Sequence, residues 1–467
     1  MNINRTFNIR ITTAGALGGL VMGYDSGAIS GALLFLKKAL HATTLQKELM
    51  VSSVVVGAMV GTLVAARLAN SRGRKATLLI AGVMSALFSL ATAMSANVQE
   101  FTLWRFLVGA AMGLIAVAGP MYISELSPAS VRGRSSATFQ LAFAIGLTAS
   151  YWGDYAFAGA GNWRAMFALA TIPAVLLLLG VTGMPESPRW LLMRDRVDRG
   201  STVIADMYSN TAVSDRVQAN IVEDLKRTQG EKGALRELLR PGLRWALIFG
   251  VGLGIFQQFG GIKAVTYYSP TVFHMAGFTK ADSIFITAVI GIVTIAATVA
   301  GVLLVDRMGR RPLLFMSLSG MAVSMIGLGV AFALQGKSEL AGVLTFTCVM
   351  IYHIFFSLGL GLMGWVFIPE IFPTRMRAKG QSVSRLFDWV AGLVVSFTFL
   401  SIVAFMGAAG VFFTFAGIIV LALIFVGWLA PETKGKTLEQ IESYWVGGRR
   451  WNAEADGLFS DGDRTTQ

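Results

Sequence analysis

Of 467 residues only one is a cysteine, three are histidines, and 14% carry charge. The lone thiol, Cys348, excludes a disulfide framework within the chain. His41, His274 and His353 lack the spacing of a metal site, and no nucleophile–base pair accompanies them, so neither an enzyme nor a bound metal or cofactor is expected. The glycines are not set in a strand–turn–helix context, which argues against a phosphate cradle. A soluble chain carries about 25% charged residues; this one is 54% hydrophobic and is built for a lipid bilayer. Its net charge of +13 would suit nucleic acid, but the bases fall in short loops between apolar runs, where they set membrane orientation instead. The first apolar run is too long for a cleavable signal and lacks a small-residue cleavage pattern, so it reads as a span.

Twelve apolar segments of about 20 residues follow. They cover 11–36, 50–69, 76–96, 101–122, 136–158 and 164–184, then 244–274, 281–305, 312–334, 340–369, 381–404 and 409–429. The polar stretch 185–243 reads as surface helices joining an N-terminal six-helix bundle (1–184) to a C-terminal one (244–430), with a tail at 431–467. Most loop bases lie on one side: Arg67, Arg72, Arg74, Lys75, Arg132, Arg134, Arg307, Arg310, Arg311, Arg375, Arg377 and Lys379. The linker and both termini share that side, which is therefore cytoplasmic.

The halves repeat. Arg72-Gly-Arg-Lys75 answers Asp306-Arg-Met-Gly-Arg-Arg311, Glu125 with Arg132 answers Glu370 with Arg377, and Pro185-Glu-Ser-Pro answers Pro431-Glu-Thr-Lys. Three landmarks at nearly one offset mean two parallel six-helix repeats, a layout that places a binding site between them near the midplane.

One carboxylate interrupts the first span. Glycines at 15, 19, 23, 27 and 31 recur every fourth residue and form a smooth ridge for a neighbouring helix. Asp25, two residues past Gly23, points away from that ridge. Facing lipid it would cost about 2.5–3.5 kcal/mol, so it faces a bundle interior or a wet cavity.

The chain resembles the sugar porter family of the major facilitator superfamily along nearly its whole length. The resemblance is carried by Gly23-Tyr-Asp-Ser-Gly27, Pro120-Met-Tyr-Ile-Ser-Glu125, Pro185-Glu-Ser-Pro-Arg189, Gln257-Gln-Phe-Gly-Gly-Ile262 with Tyr267-Tyr268, Pro369-Glu-Ile-Phe-Pro373 and Pro431-Glu-Thr-Lys-Gly435. It implies an all-α fold of twelve membrane helices and proton-coupled symport of a monosaccharide or polyol by a monomer; the short loops, with no glycosylated-looking outer domain, point to a bacterial inner membrane. A facilitative uniporter is the alternative. A non-transporting sugar sensor is another, against which the short tail argues.

The resemblance also implies site residues. Asp25 and Arg105 would couple protons. Gln140, Gln257, Gln258, Trp365 and Trp389 would contact sugar, with Tyr267 at a gate; amides offer donors and acceptors to hydroxyls. Glu125, Arg132, Asp306, Arg310, Glu370 and Arg377 would form a latch between the bundles on the cytoplasmic side. Four departures stand out. Asn70-Ser71 replaces the usual Asp-Arg, Lys263 and Thr294 stand where Asn is usual, and Asp388 where Gln or Asn is usual. Lys263 and Asp388 either neutralise each other, with Arg385 one turn away as a second partner, or hold a charged substrate.

Overall fold

Asn4 starts the first helix by accepting a hydrogen bond from the Phe7 amide at 3.1 Å, so the helix runs Arg5–Ala39, longer than its apolar stretch. Thr43 and Gln46 form a reciprocal capping box that likewise extends the second to Thr44–Arg72. Spans three to five are Arg74–Met94, Val98–Leu126 and Arg132–Ala158, and the sixth is split into Trp163–Ala168 and Thr171–Thr182. The computed structural model describes residues 4–128, 132–208, 210–230, 235–240, 242–335, 340–372, 376–434, 436 and 438–448; the side chains of Arg132, Asp306, Trp365 and Arg377 lie outside that description.

The second half departs from straight helices where its site lies. The seventh span is Leu243–Gln257, a π-turn over Gln258–Ile262 and a short helix Lys263–Tyr267, continued by Ser269–Met275. The eighth and ninth are Lys280–Met308 and Arg310–Ala333, and the tenth breaks at Gly359 into Leu340–Leu358 and Leu360–Ile371. Spans eleven and twelve join in one run, Arg377–Leu429, turned at Gly407 with φ 76°. Its apolar part, Lys379–Leu429, has 51 residues. At about 1.5 Å per residue that is more than twice a hydrocarbon core, so it is two spans. Among the described residues between the halves lie the helices Pro188–Met193, Val197–Met207 and Thr211–Gly230 and a 3-10 turn Leu235–Leu239, and the tail carries Leu438–Val446.

The glycine ridge of the first helix lies on the backbone of the fifth. A Cβ at Gly19 or Gly23 would collide with the Phe139 or Phe143 carbonyl, and one at Gly27 or Gly31 with Ser150 or Asp154. The return is mutual, since a Cβ at Gly146 would strike the Leu20 carbonyl. Large apolar side chains such as Leu63, Leu179, Val323 and Ile424 stay 64–70% exposed in the protein, on faces that only lipid tails can cover.

The sequence repeat is also a structural one. Spans two and three, and eight and nine, are joined at Gly73 and Gly309, with φ 102° and 92°, backbone that only glycine adopts without strain. Each following helix starts without a side-chain cap of its own. Glu186 accepts from the amides of Arg74 and Lys75, and Glu432 from those of Arg310 and Arg311, at 3.0–3.2 Å. Two distant acids thus cap two helix N-termini, where a negative charge is most favourable.

Candidate functional site

Asp25 lies on the side of the first helix away from the glycine ridge, and Arg105 reaches it from the fourth, two turns after Val98. Nη1 of Arg105 donates to Oδ1 of Asp25 at 2.5 Å, and both residues are buried. The guanidinium also stands 5.4 Å from the centre of the Phe167 ring. The pair is single-pronged: Asp25 Oδ2 and Arg105 Nε and Nη2 are buried without a hydrogen-bond partner. Each unpaired buried group costs about 1–3 kcal/mol, more when charged.

The broken seventh span faces the eleventh. At the break Gly261 has φ 93°, and the Tyr352 hydroxyl donates to the Gly260 carbonyl at 2.9 Å, compensating part of the disturbed backbone bonding. Gln258 Nε2 donates to Asp388 Oδ1 at 2.7 Å, while its Oε1 is buried without a partner. Arg385 Nη1 lies 3.7 Å from Asp388 Oδ2 and its Nη2 donates to the Gly364 carbonyl at 2.7 Å. Lys263 is not the partner of Asp388. Its Nζ donates to the Tyr267 hydroxyl at 2.8 Å, with the ring centres of Tyr267 and Trp389 at 4.6 and 5.7 Å. Lys263 and Asp388 thus make no direct ion pair, although their charges act on each other over a longer distance.

Other expected contacts vary. Gln257 is buried with Oε1 beside Gly364, next to Arg385. Gln140 is half-buried on the fifth span. The Thr294 hydroxyl is buried and donates to the Ile290 carbonyl of its own helix at 2.9 Å, so its donor is already used. Trp365 lies outside the described side chains.

The described charges near the linker form a network within each half. Glu125 meets Arg74 at 2.9 and 3.0 Å, and accepts from the Ser187 hydroxyl. Glu370 meets Arg310 at 2.8 and 3.1 Å and accepts from Thr433 at 2.8 Å. Each arginine also reaches back to a carbonyl of the preceding span, Ala69 or Val305. The physical reason is the tight glycine turn, which lays the first residue of the next helix against the acid; Arg132, Arg377 and Asp306 lie outside the described side chains. The Asn70-Ser71 departure leaves the first network whole, because Trp190 and Arg194 bind the backbone carbonyls there.

The hydrogen bonds described between the bundles lie toward the face opposite the linker. Glu48 accepts from the Ser401 amide and hydroxyl at 2.7 and 2.6 Å, Lys280 donates to the Leu34 carbonyl at 3.1 Å, and Tyr151 to the Thr266 carbonyl at 3.2 Å. Deeper in, Thr148 donates to the Gly291 carbonyl at 2.8 Å. Sequence reasoning missed two acids. One is Glu48, buried at that far contact. The other is Asp154, buried on the fifth span, where Oδ2 accepts from the Gly31 amide at 3.0 Å and Oδ1 has no partner. The one signal for Asp154 was an acid inside an otherwise apolar span.

Twelve membrane helices in two repeats, around a buried acid–arginine pair and a helix break lined by amides and tryptophan, define a transporter of the major facilitator type. Residues 11–445 match the family described as sugar (and other) transporter, and the chain belongs to that family. It is similar to the putative metabolite transport protein YwtG of Bacillus subtilis, with 36% identity over 93% of this chain and 94% of that one. With the galactose-proton symporter of Escherichia coli strain K12 it shares 33% identity over 96% of each. Among solved structures, the proton:xylose symporter XylE of E. coli bound to 6-bromo-6-deoxy-D-glucose superposes with a TM-score of 0.81 at 29% identity, over 95% of this chain and all of that one.

Proposed function

We propose that the protein takes up a monosaccharide or polyol together with protons by alternating access, and that Asp25 is the proton carrier. The observation that carries this is the buried, single-pronged Asp25–Arg105 pair. Away from water a carboxylate stays ionised only while a cation holds it. When Arg105 moves off, Asp25 takes a proton; when it returns, the proton leaves. Gln140, Gln257, Gln258, Lys263, Tyr267, Thr294, Trp365, Asp388 and Trp389 form the substrate site between the halves 1–184 and 244–430. The far-face bonds Glu48–Ser401 and Lys280–Leu34 support a state closed on that side. In this reading the linker, both termini and the charge networks of Glu125, Arg132, Asp306, Arg310, Glu370 and Arg377 lie in the cytoplasm of a bacterial cell, following the loop bases. The working unit is one chain.

The test is a pair of assays in proteoliposomes. Asp25→Asn is expected to retain counterflow, which needs no proton movement, and to lose accumulation driven by a proton gradient. Accumulation that persists in Asp25→Asn would mean that another group carries the proton; wild-type uptake that ignores the gradient would mean that the protein is a uniporter.

A further inference from the structure

Two cations and one carboxylate meet at the break of the seventh span. Asp388 is already engaged by Gln258 Nε2 and lies beside Arg385. The direct contacts of Lys263 are neutral, the Tyr267 hydroxyl at 2.8 Å and the faces of Tyr267 and Trp389, and the Asp388 charge acts on it only from beyond ion-pair distance. Among the described residues no carboxylate lies within ion-pair distance of its Nζ. Aromatic faces offset part of the cost of an ammonium inside a membrane protein. A counter-ion offsets far more. With Arg385 set against Asp388, the trio keeps one excess positive charge.

A second, independent observation points at the same spot. Gln258 Oε1 is a buried acceptor with no donor. Its Oε1 and Lys263 Cε approach the same point, the bare α-carbon of Gly392, where an added Cβ would lie 3.2 and 3.6 Å from them. An acceptor lacking a donor and a cation lacking a direct ion-pair partner thus stand against one bare glycine, with the Trp389 ring close to the cation. We propose that the natural substrate is a sugar acid, an aldonate or uronate. Its carboxylate pairs with Lys263, a hydroxyl donates to Gln258 Oε1, and its C–H face lies on Trp389. A single excess charge matches one carboxylate; a phosphate monoester, at about −1.5 to −2, would overfill it. This rests on the transport reading of the same site and narrows it to a substrate class.

The experiment is counterflow in proteoliposomes with glucuronate, gluconate, glucose, xylose, sorbitol and glucose 6-phosphate, for wild type, Lys263→Asn and Lys263→Arg. Wild type is expected to exchange a sugar acid about tenfold or more in preference to the neutral compounds, the size of a charge-assisted hydrogen bond. Lys263→Asn reverses that preference and Lys263→Arg keeps it. In detergent, the preferred acid raises the melting temperature of wild type but not of Lys263→Asn, a readout independent of transport. Neutral sugars exchanged as readily as acids by wild type, a preference for the phosphate ester, or an unchanged profile in Lys263→Asn overturns the sugar-acid assignment while transport stands. Exchange of nothing by the wild type overturns the transport reading and the assignment with it.

Discussion

A carboxylate inside a membrane protein is informative through its partners, and the buried acids here differ in theirs. Asp25 has a guanidinium, Asp388 has a guanidinium and an amide, and Asp154 has a backbone amide alone. Asp154 joins the glycine ridge of the first helix to the fifth at Gly31. Its role at that seam needs an oxygen acceptor and no charge. Asp154→Asn is therefore expected to hold the detergent melting temperature. Asp154→Ala removes the bond, costs about 1 kcal/mol and lowers the melting temperature by roughly 2 °C. Equal melting curves for Asn and Ala would show that the Gly31 bond contributes nothing.

At the scale of elements, the helix starts at Arg74 and Arg310 carry the repeat. Each follows a glycine of positive φ, each receives a remote glutamate at its amides, and each projects an arginine to the acid that ends the next helix. A Cβ at Gly73 or Gly309 would meet the carboxylate of Glu186 or Glu432 and force strained backbone at once. Gly73→Ala and Gly309→Ala are each expected to cost about 1–3 kcal/mol, read as loss of monodisperse protein in fluorescence-detected gel filtration. The two turns share no partner, so the double variant is expected to show the sum. A double variant no worse than either single one would mean that the networks are coupled.

For the whole molecule, alternating access requires the far-face contacts to open in each cycle. Glu48 and Ser401 join the second span to the eleventh there. With Cys348 replaced by Ser, Glu48→Cys combined with Ser401→Cys can be bridged by a short bismaleimide. Bridged protein is expected to lose transport while each single-cysteine control keeps it. Transport by fully bridged protein would show that this face need not part. The described linker-side networks lie within bundles, so they stiffen each half as a body.

Hydropathy alone placed the twelve spans, because in lipid every stretch of about 20 apolar residues must satisfy its own backbone as a helix. The glycine spacing, the need to shelter Asp25 and the nearness of Arg385 to Asp388 were equally legible, since each follows from the periodicity of a single helix. The helix ends at Arg5 and Thr44 were not, because capping by Asn4 and Thr43 extends a helix past its apolar stretch. Which arginine meets Glu125, whether Lys263 meets Asp388, and what holds Asp154 depend on how neighbouring helices rotate and cross. Those angles are set by packing across the bundle, where residues far apart in the chain first come within reach, and only the tertiary structure decided them.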